Sequence, residues 1–342
     1  MSQKVGDSRR FLKALNFVTN FHSGCLTRAG GPSGEAPLSI FGDVGAAVLD
    51  FLEQDGETLD ERHQRWGQAL QAHPRFEEAI RLSMHKSLVR YGQTPLMAHI
   101  SKDVVRIFYG YFALALDAAG GLTLTGMQQL CKDLGISSFG RAQAMLLHMR
   151  MIGFITPNPE TSDRRSKPYI PTPAMVSAFR AVMIEEALCY SIIDPRVAEL
   201  VDLLNDPLFF GAYVLAISEG LKNMIRNQRP NPIKLFAERA AGMLILYKIC
   251  QSAQEDDSYP PCGQVQISVA GLSKAFGVSR SHTLKLLRDA EANRYLSRNA
   301  EENTGLIAEP LRVELMRAHC AAFIGISRAW ANARIILQAQ AA

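Results

Sequence analysis

The chain runs twice through the same order of segments, and this repetition constrains its fold more than any other feature of the 342 residues. His73-Pro74-Arg75-Phe76 is echoed by Asp206-Pro207-Leu208-Phe209, and at the same offset Leu82 meets Leu215 and Leu88 meets Leu221. Each copy then reaches a polar, proline-containing break, at residues 90–95 and 227–232. A strongly apolar helix is expected next, over 101–118 and 233–253, followed by a short β-prone stretch at 122–125 and 264–268. Two short helices around a glycine-containing turn close each series. A single match would mean little, whereas an ordered series points to internal duplication. The chain therefore divides into a leader of residues 1–58, a first unit of 59–194 and a second unit of 195–342.

The residues around the two glycine turns carry the chemistry. In the first copy Met127, Leu130 and Leu134 share one apolar face, Gly135 breaks the helix, Ile136 plugs the turn, and Ser137 is placed to N-cap the next helix. Ala142, Met145, Leu146 and Met149 then follow helical spacing, leaving Ser138, Arg141, His148 and Arg150 off that stripe. In the second copy Leu272 and Phe276 pack, Gly277 turns and Ser279 caps. There Leu284 and Leu287 are expected to form the inner face, Ser281, Lys285 and Arg288 the outer one, with Arg280 and His282 in the first turn. This is the helix–turn–helix pattern, whose second helix enters the DNA major groove. The expected DNA contacts are thus Ser137, Ser138, Arg141 and His148 in the first copy, and Arg280, Ser281, His282, Lys285 and Arg288 in the second.

The segment after each second helix extends the pattern. Phe154-Ile155-Thr156 leads into the loop 157–167 (PNPETSDRRSK), Pro168 closes it, and the β-prone Tyr169-Ile170-Pro171-Thr172-Pro173 comes next. Two strands joined by a basic hairpin make a wing. The run Asp163-Arg164-Arg165-Ser166-Lys167, then a strand ending in Thr-Pro and a long helix, resembles the MarR family of regulators. The resemblance covers residues 101 to about 191, and the second copy from 233 onward more loosely. It implies a mainly α fold of tandem winged helix–turn–helix units with long flanking helices. In that family the wing carries an Asp and Arg residues that meet the DNA backbone and minor groove. The matching positions here are Asp163, Arg164 and Arg165, with Lys167 as a phosphate contact.

Family members bind DNA as dimers joined through terminal helices. Here the helices expected over 174–193 and 310–337 come after the two wings and are expected to pair within one chain. That makes a pseudo-dimer, monomeric or weakly homodimeric. Relatives often sense small aromatic acids or lipophilic ligands beside those helices. Phe108, Tyr109, Tyr111 and Phe112 lie near that location, but aromatics at helical spacing read first as core, and no effector is assigned. The second wing departs from the family pattern: residues 299–305 (NAEENTG) carry Glu301 and Glu302 and no arginine pair. Phosphate repels carboxylates, which leaves Arg294 and Arg298 as backbone contacts there.

Charge becomes informative once it is divided. Lys and Arg total 37 against 33 Asp and Glu, a net charge of +4 at pH 7. Residues 43–60 hold Asp43, Asp50, Glu53, Asp55, Glu57 and Asp60 and no basic residue, with helical spacing of Val44, Val48 and Phe51. Lys132, Arg141, Arg150, Arg164, Arg165 and Lys167 outnumber the acids of the first helix–turn–helix and wing, as Lys274, Arg280, Lys285, Arg288, Arg294 and Arg298 do those of the second. Double-stranded DNA is the expected partner.

Other classes fare worse. A hydrophobic share of 47% excludes wholesale disorder. The six cysteines form no C-x-x-C pair and have no zinc-finger histidines, so no metal is expected and a reducing, cytoplasmic setting fits. The most apolar runs, 112–119 and 240–247, are too short for a membrane span, and the start of the chain does not read as a signal peptide. No phosphate-loop, dinucleotide or metalloprotease motif is present, so neither an enzyme nor a cofactor is expected. The alternative is a winged-helix interaction scaffold that acts on a partner without touching DNA.

Overall fold

The computed structural model describes residues 59–93, 95–159, 168–226 and 231–341, and it is mainly α-helical. Helices α1 (Leu59–Ala72), α2 (Phe76–Gln93), α3 (Pro95–Ile100) and α4 (Val104–Ala118) lead to α5 (Leu124–Asp133) and α6 (Phe139–Met151). Strands β1 (Ile155–Pro157) and β2 (Tyr169–Pro171) and helix α7 (Pro173–Tyr190) complete the first series. A 3-10 turn (Pro195–Ala198) and α8 (Glu199–Leu203) open the second. It continues through α9 (Pro207–Arg226), α10 (Pro232–Ala237), α11 (Gly242–Cys250), β3 (Val265–Gln266), α12 (Val269–Phe276) and α13 (Arg280–Ala292). Strands β4 (Leu296–Asn299) and β5 (Thr304–Ile307) then precede the 33-residue α14 (Glu309–Ala341). The acidic stretch of residues 43–58 and the rest of the leader lie outside the described residues.

Local chemistry sets the helix starts. Asp103, Thr123, Thr172, Asn231, Ser268 and Ser279 each accept a backbone N–H from the first turn of the helix they precede. Such a cap contributes ~1 kcal/mol. Ahead of α6 the cap is Ser138, one residue later than expected, accepting from the Arg141 amide. Ser137 is diverted because its hydroxyl meets that of Tyr109 on α4. The turns at Gly135 and Gly277 take φ of +64° and +58°, a region that a Cβ disfavours.

Packing interlocks the two series reciprocally. Helix α9 lies along α4, and α2 lies against α11, so the first long helix of each series covers the apolar helix of the other. The short leading helices behave alike: α1 packs on α14, and α8 on α7. One continuous core results, including Phe112 and Phe179 of the first series and Tyr213, Ile245 and Phe323 of the second. Full burial of such side chains contributes roughly 1.5–3 kcal/mol each. The loop before β3 staples the two series together. The Tyr259 hydroxyl donates to Met84 Sδ at 2.7 Å, its amide donates to Glu77 at 3.1 Å, and the Arg81 guanidinium lies 4.5 Å from its ring centroid.

Three expectations need correction. The apolar run 233–253 is two helices, because Ala241 adopts φ +56° where its amide reaches the Lys102 carbonyl between α3 and α4. The charged pair Glu238-Arg239 marks the break in the sequence, between Pro232–Ala237 and the more apolar Gly242–Cys250. The stretch 122–125 forms no strand: Leu122 makes one isolated bridge to Tyr169, and Thr123 already caps α5. The inner face of α13 is Thr283, Leu286, Leu287 and Ala290, with Leu284 only half-buried. Counting apolar residues alone overlooks Thr283, whose buried hydroxyl lies 3.0 Å from that of Ser273.

Helix α9 is a further departure. It is long and apolar enough, by length and composition, to cross a bilayer. In this fold it lies between α4 and α14, with Phe209, Tyr213 and Leu215 buried. The long helices α7 and α14 meet where the Tyr190 ring stacks on Phe323 at 4.8 Å and the Ser327 hydroxyl donates to Tyr190 at 3.2 Å. Elsewhere α14 runs along α9 and α1 rather than along α7.

Candidate nucleic-acid interface

Helices α6 and α13 each start at a capped turn and lead into an antiparallel hairpin. In the first series β1 pairs with β2 in the register Ile155↔Pro171, Thr156↔Ile170 and Pro157↔Tyr169. The hairpin root is anchored twice. The Tyr169 amide donates to the Leu122 carbonyl at 2.7 Å, and the Thr172 hydroxyl donates to the Gly153 carbonyl at 2.7 Å while capping α7. The hairpin tip, with Asp163, Arg164, Arg165 and Lys167, lies outside the described residues. In the second series β5 sits between β3 and β4, giving three strands. The Asn299 side chain accepts the amides of Glu301 and Glu302, whose side chains are exposed at the tip.

The expected contact residues separate into outward and inward groups. Ser138, Arg141, Arg280, Ser281, Lys285 and Arg288 are exposed. Among the described residues, Arg280, Lys285 and Arg288 have no acidic partner, so a surface stripe of positive charge runs down α13. Ser281 shares a 3.0 Å hydrogen bond with Ser279, which orients it beside the cap.

Ser137, His148 and His282 are instead committed to the protein. Ser137 is held by Tyr109, whose phenol burial pushes upward in pKa. His148 packs edge-on against His99 of α3, with ring centroids 5.9 Å apart, and its Nε2 is buried. Desolvation, then the neighbouring Arg106 and His99, lower its pKa and favour the neutral ring. The His282 ring nitrogen lies 3.0 Å from the Ala240 carbonyl, which requires Nε2–H as donor and ties α13 to the α10–α11 connection. A helical wheel places these residues away from the apolar stripe, but it cannot show that a neighbouring segment covers them.

Two arginines brace α13 in ways that periodicity does not reveal. Arg298, expected at the phosphate backbone, turns inward and pairs with Glu291 at 2.9 Å, with its side chain only 10% exposed. Arg239, in the α10–α11 connection and absent from the expected contacts, pairs with Asp289 at 3.0 Å and holds the other flank of α13. No sequence signal marks Arg239, because its partner lies on another element. Arg294 is exposed with φ +58°, at the entry to β4.

The aromatic residues near the expected effector location are core. Phe108, Tyr109 and Phe112 are buried, and Tyr111 sets its ring edge-on to Phe179 at 5.1 Å. Burial pushes the Tyr111 phenol up to about 12. Among the described residues no cluster of three or more His, Cys, Asp or Glu side chains is arranged to hold a metal ion. Comparison of the chain with protein-family models, characterised proteins and solved structures finds no match.

Proposed function

We propose that the protein is a sequence-specific double-stranded DNA-binding regulator built from two winged helix–turn–helix units in one chain. The observation that carries this reading is the outward face of α13, where Arg280, Ser281, Lys285 and Arg288 are exposed and the cations have no acidic partner among the described residues. Phosphate attracts such charge through counterion release, and Arg and Lys pair with guanine edges in the major groove. The reciprocal packing of α2 on α11 and α9 on α4 supports an intramolecular pseudo-dimer descended from a duplicated unit. In this arrangement α6 and α13 enter neighbouring major grooves about one DNA turn apart. The basic run Arg164, Arg165 and Lys167 joins from the first wing. The acidic second wing stays off the phosphates.

The test is duplex binding by fluorescence anisotropy across a salt series. Binding that weakens steeply with salt, and weakens further in Arg164→Ala/Arg165→Ala, is the expected result. Absence of duplex affinity at low salt would overturn the proposal and favour the interaction scaffold. A titration by mass that requires two chains on the shortest bound duplex would overturn the single-chain pseudo-dimer.

A further inference from the structure

The outward faces of α6 and α13 differ in kind. Both helices have 13 residues and a serine N-cap, Ser138 and Ser279. Setting the caps in register places Phe139 opposite Arg280, Gly140 opposite Ser281, Ala144 opposite Lys285 and Leu147 opposite Arg288. All eight residues are exposed, so these are the solvent faces of both helices. Where α13 shows a cationic and hydroxyl face, α6 shows an apolar one, with Phe139 49% and Leu147 54% exposed. Single exposed apolar residues need no explanation, but Phe139 and Leu147 on one face, with only the small Gly140 and Ala144 between them and no charge at the four matched positions, mark a contact surface. Gln143 is exposed beside them, and Arg141 and Arg150 are exposed on the flanks.

We infer that the two helices read chemically different half-sites: α13 one bearing guanine, and α6 one rich in A·T pairs. The inference rests on the DNA-binding reading of the same surfaces. In the major groove guanine offers two acceptors, O6 and N7, which suit Arg and Lys. Thymine instead offers its C5-methyl, which suits apolar side chains, and adenine offers the N6/N7 pair that a glutamine amide meets with two hydrogen bonds. Phe139, Ala144 and Leu147 match the methyl groups, and Gln143 matches adenine. Arg141 and Arg150 then serve the phosphates at either side. The natural site is therefore asymmetric in base composition.

Selection of bound sequences from a randomised duplex pool, using the full chain, tests this directly. The expected outcome is a site with two segments spaced by about one helical turn, one with fixed G·C pairs and one A·T-rich. Lys285→Ala/Arg288→Ala should relax only the first segment, and Phe139→Ala/Leu147→Ala only the second. Uracil lacks the C5-methyl, so replacing thymine by uracil in the A·T segment should weaken the native protein about fourfold per buried methyl. The same replacement should weaken Phe139→Ala/Leu147→Ala much less, because only the Ala144 contact remains. A selected site with equivalent bases in both segments, or indifference to uracil, overturns this inference while DNA binding itself stands. Indifference of duplex binding to Phe139→Ala/Leu147→Ala likewise overturns it. Failure to bind any duplex overturns the underlying reading together with it.

Discussion

Gly110→Ala probes the contact between α4 and α7, next to the β1–β2 hairpin. Gly110 lies within α4, and an ideal Cβ there would sit 1.9 Å from Phe179 Cζ on α7. The ring is buried and packed on two sides. Phe179 is 1% exposed and is held edge-on by Tyr111 at 5.1 Å and Phe154 at 6.2 Å. Gly220, within α9, offers a matched control, because a Cβ there meets nothing within 4 Å. In a helix interior, glycine to alanine gains ~1 kcal/mol, part of it through the unfolded chain, and that part is the same at both sites. Overpacking a filled core costs ~1–3 kcal/mol. Gly220→Ala should therefore stabilise by about 1 kcal/mol, while Gly110→Ala falls between neutral and about 2 kcal/mol destabilising. Urea unfolding monitored by far-UV circular dichroism reads the gap between the two variants. Equal stabilisation of both would refute the close approach of α4 and α7 at Gly110 and Phe179.

Three further outcomes are expected. Lys285→Ala/Arg288→Ala should change base preference more than salt dependence, since each lost phosphate contact lowers the log–log slope by ~0.9 and a lost base contact does not; a fall near two phosphates' worth would reassign both residues to the backbone. Arg298→Met should cost about 1–2 kcal/mol in a thermal melt by stranding Glu291, yet leave duplex affinity unchanged, because the guanidinium faces inward. Lost affinity at undiminished stability would instead return Arg298 to the DNA contacts. His319 is buried beside Tyr247, and desolvation pushes its pKa down to about 4 from an ordinary 6.5. The unfolded chain then takes up the proton first, so the native state keeps its full margin above pH ~6.5 and loses on the order of 3 kcal/mol as pH falls towards ~4. His319→Gln should flatten that loss in denaturation series run at several pH values, and an unchanged slope would show that other groups carry it.

Much of the secondary structure was legible in the linear chain. Glycines at 135 and 277, a serine at 279 and the spacing of Ala142, Met145, Leu146 and Met149 located both helix pairs, because caps, left-handed turns and 3.6-residue periodicity act within a few residues of one another. The exposed positions of Ser281, Lys285 and Arg288 came from the same wheel. Boundaries that depend on another segment did not. Ser137 lost its capping role to Ser138 through a contact with Tyr109, and the helix expected over 233–253 broke where Ala241 reaches Lys102.

The amino-acid order thus determined which segments become helices and which residues form the two basic turns, since those choices balance local hydrogen bonds against backbone entropy. Only the tertiary structure decided which basic and polar side chains remain at the surface. His148, His282 and Arg298 are withdrawn by His99, Ala240 and Glu291, and the positive stripe narrows to Arg280, Lys285 and Arg288. The interlock of α2 with α11 and α9 with α4 belongs to the same level, because burying the apolar α4 and α11 requires a helix from the other series. Periodicity records that a face must be covered, whereas the identity of what covers it is a property of the assembled core.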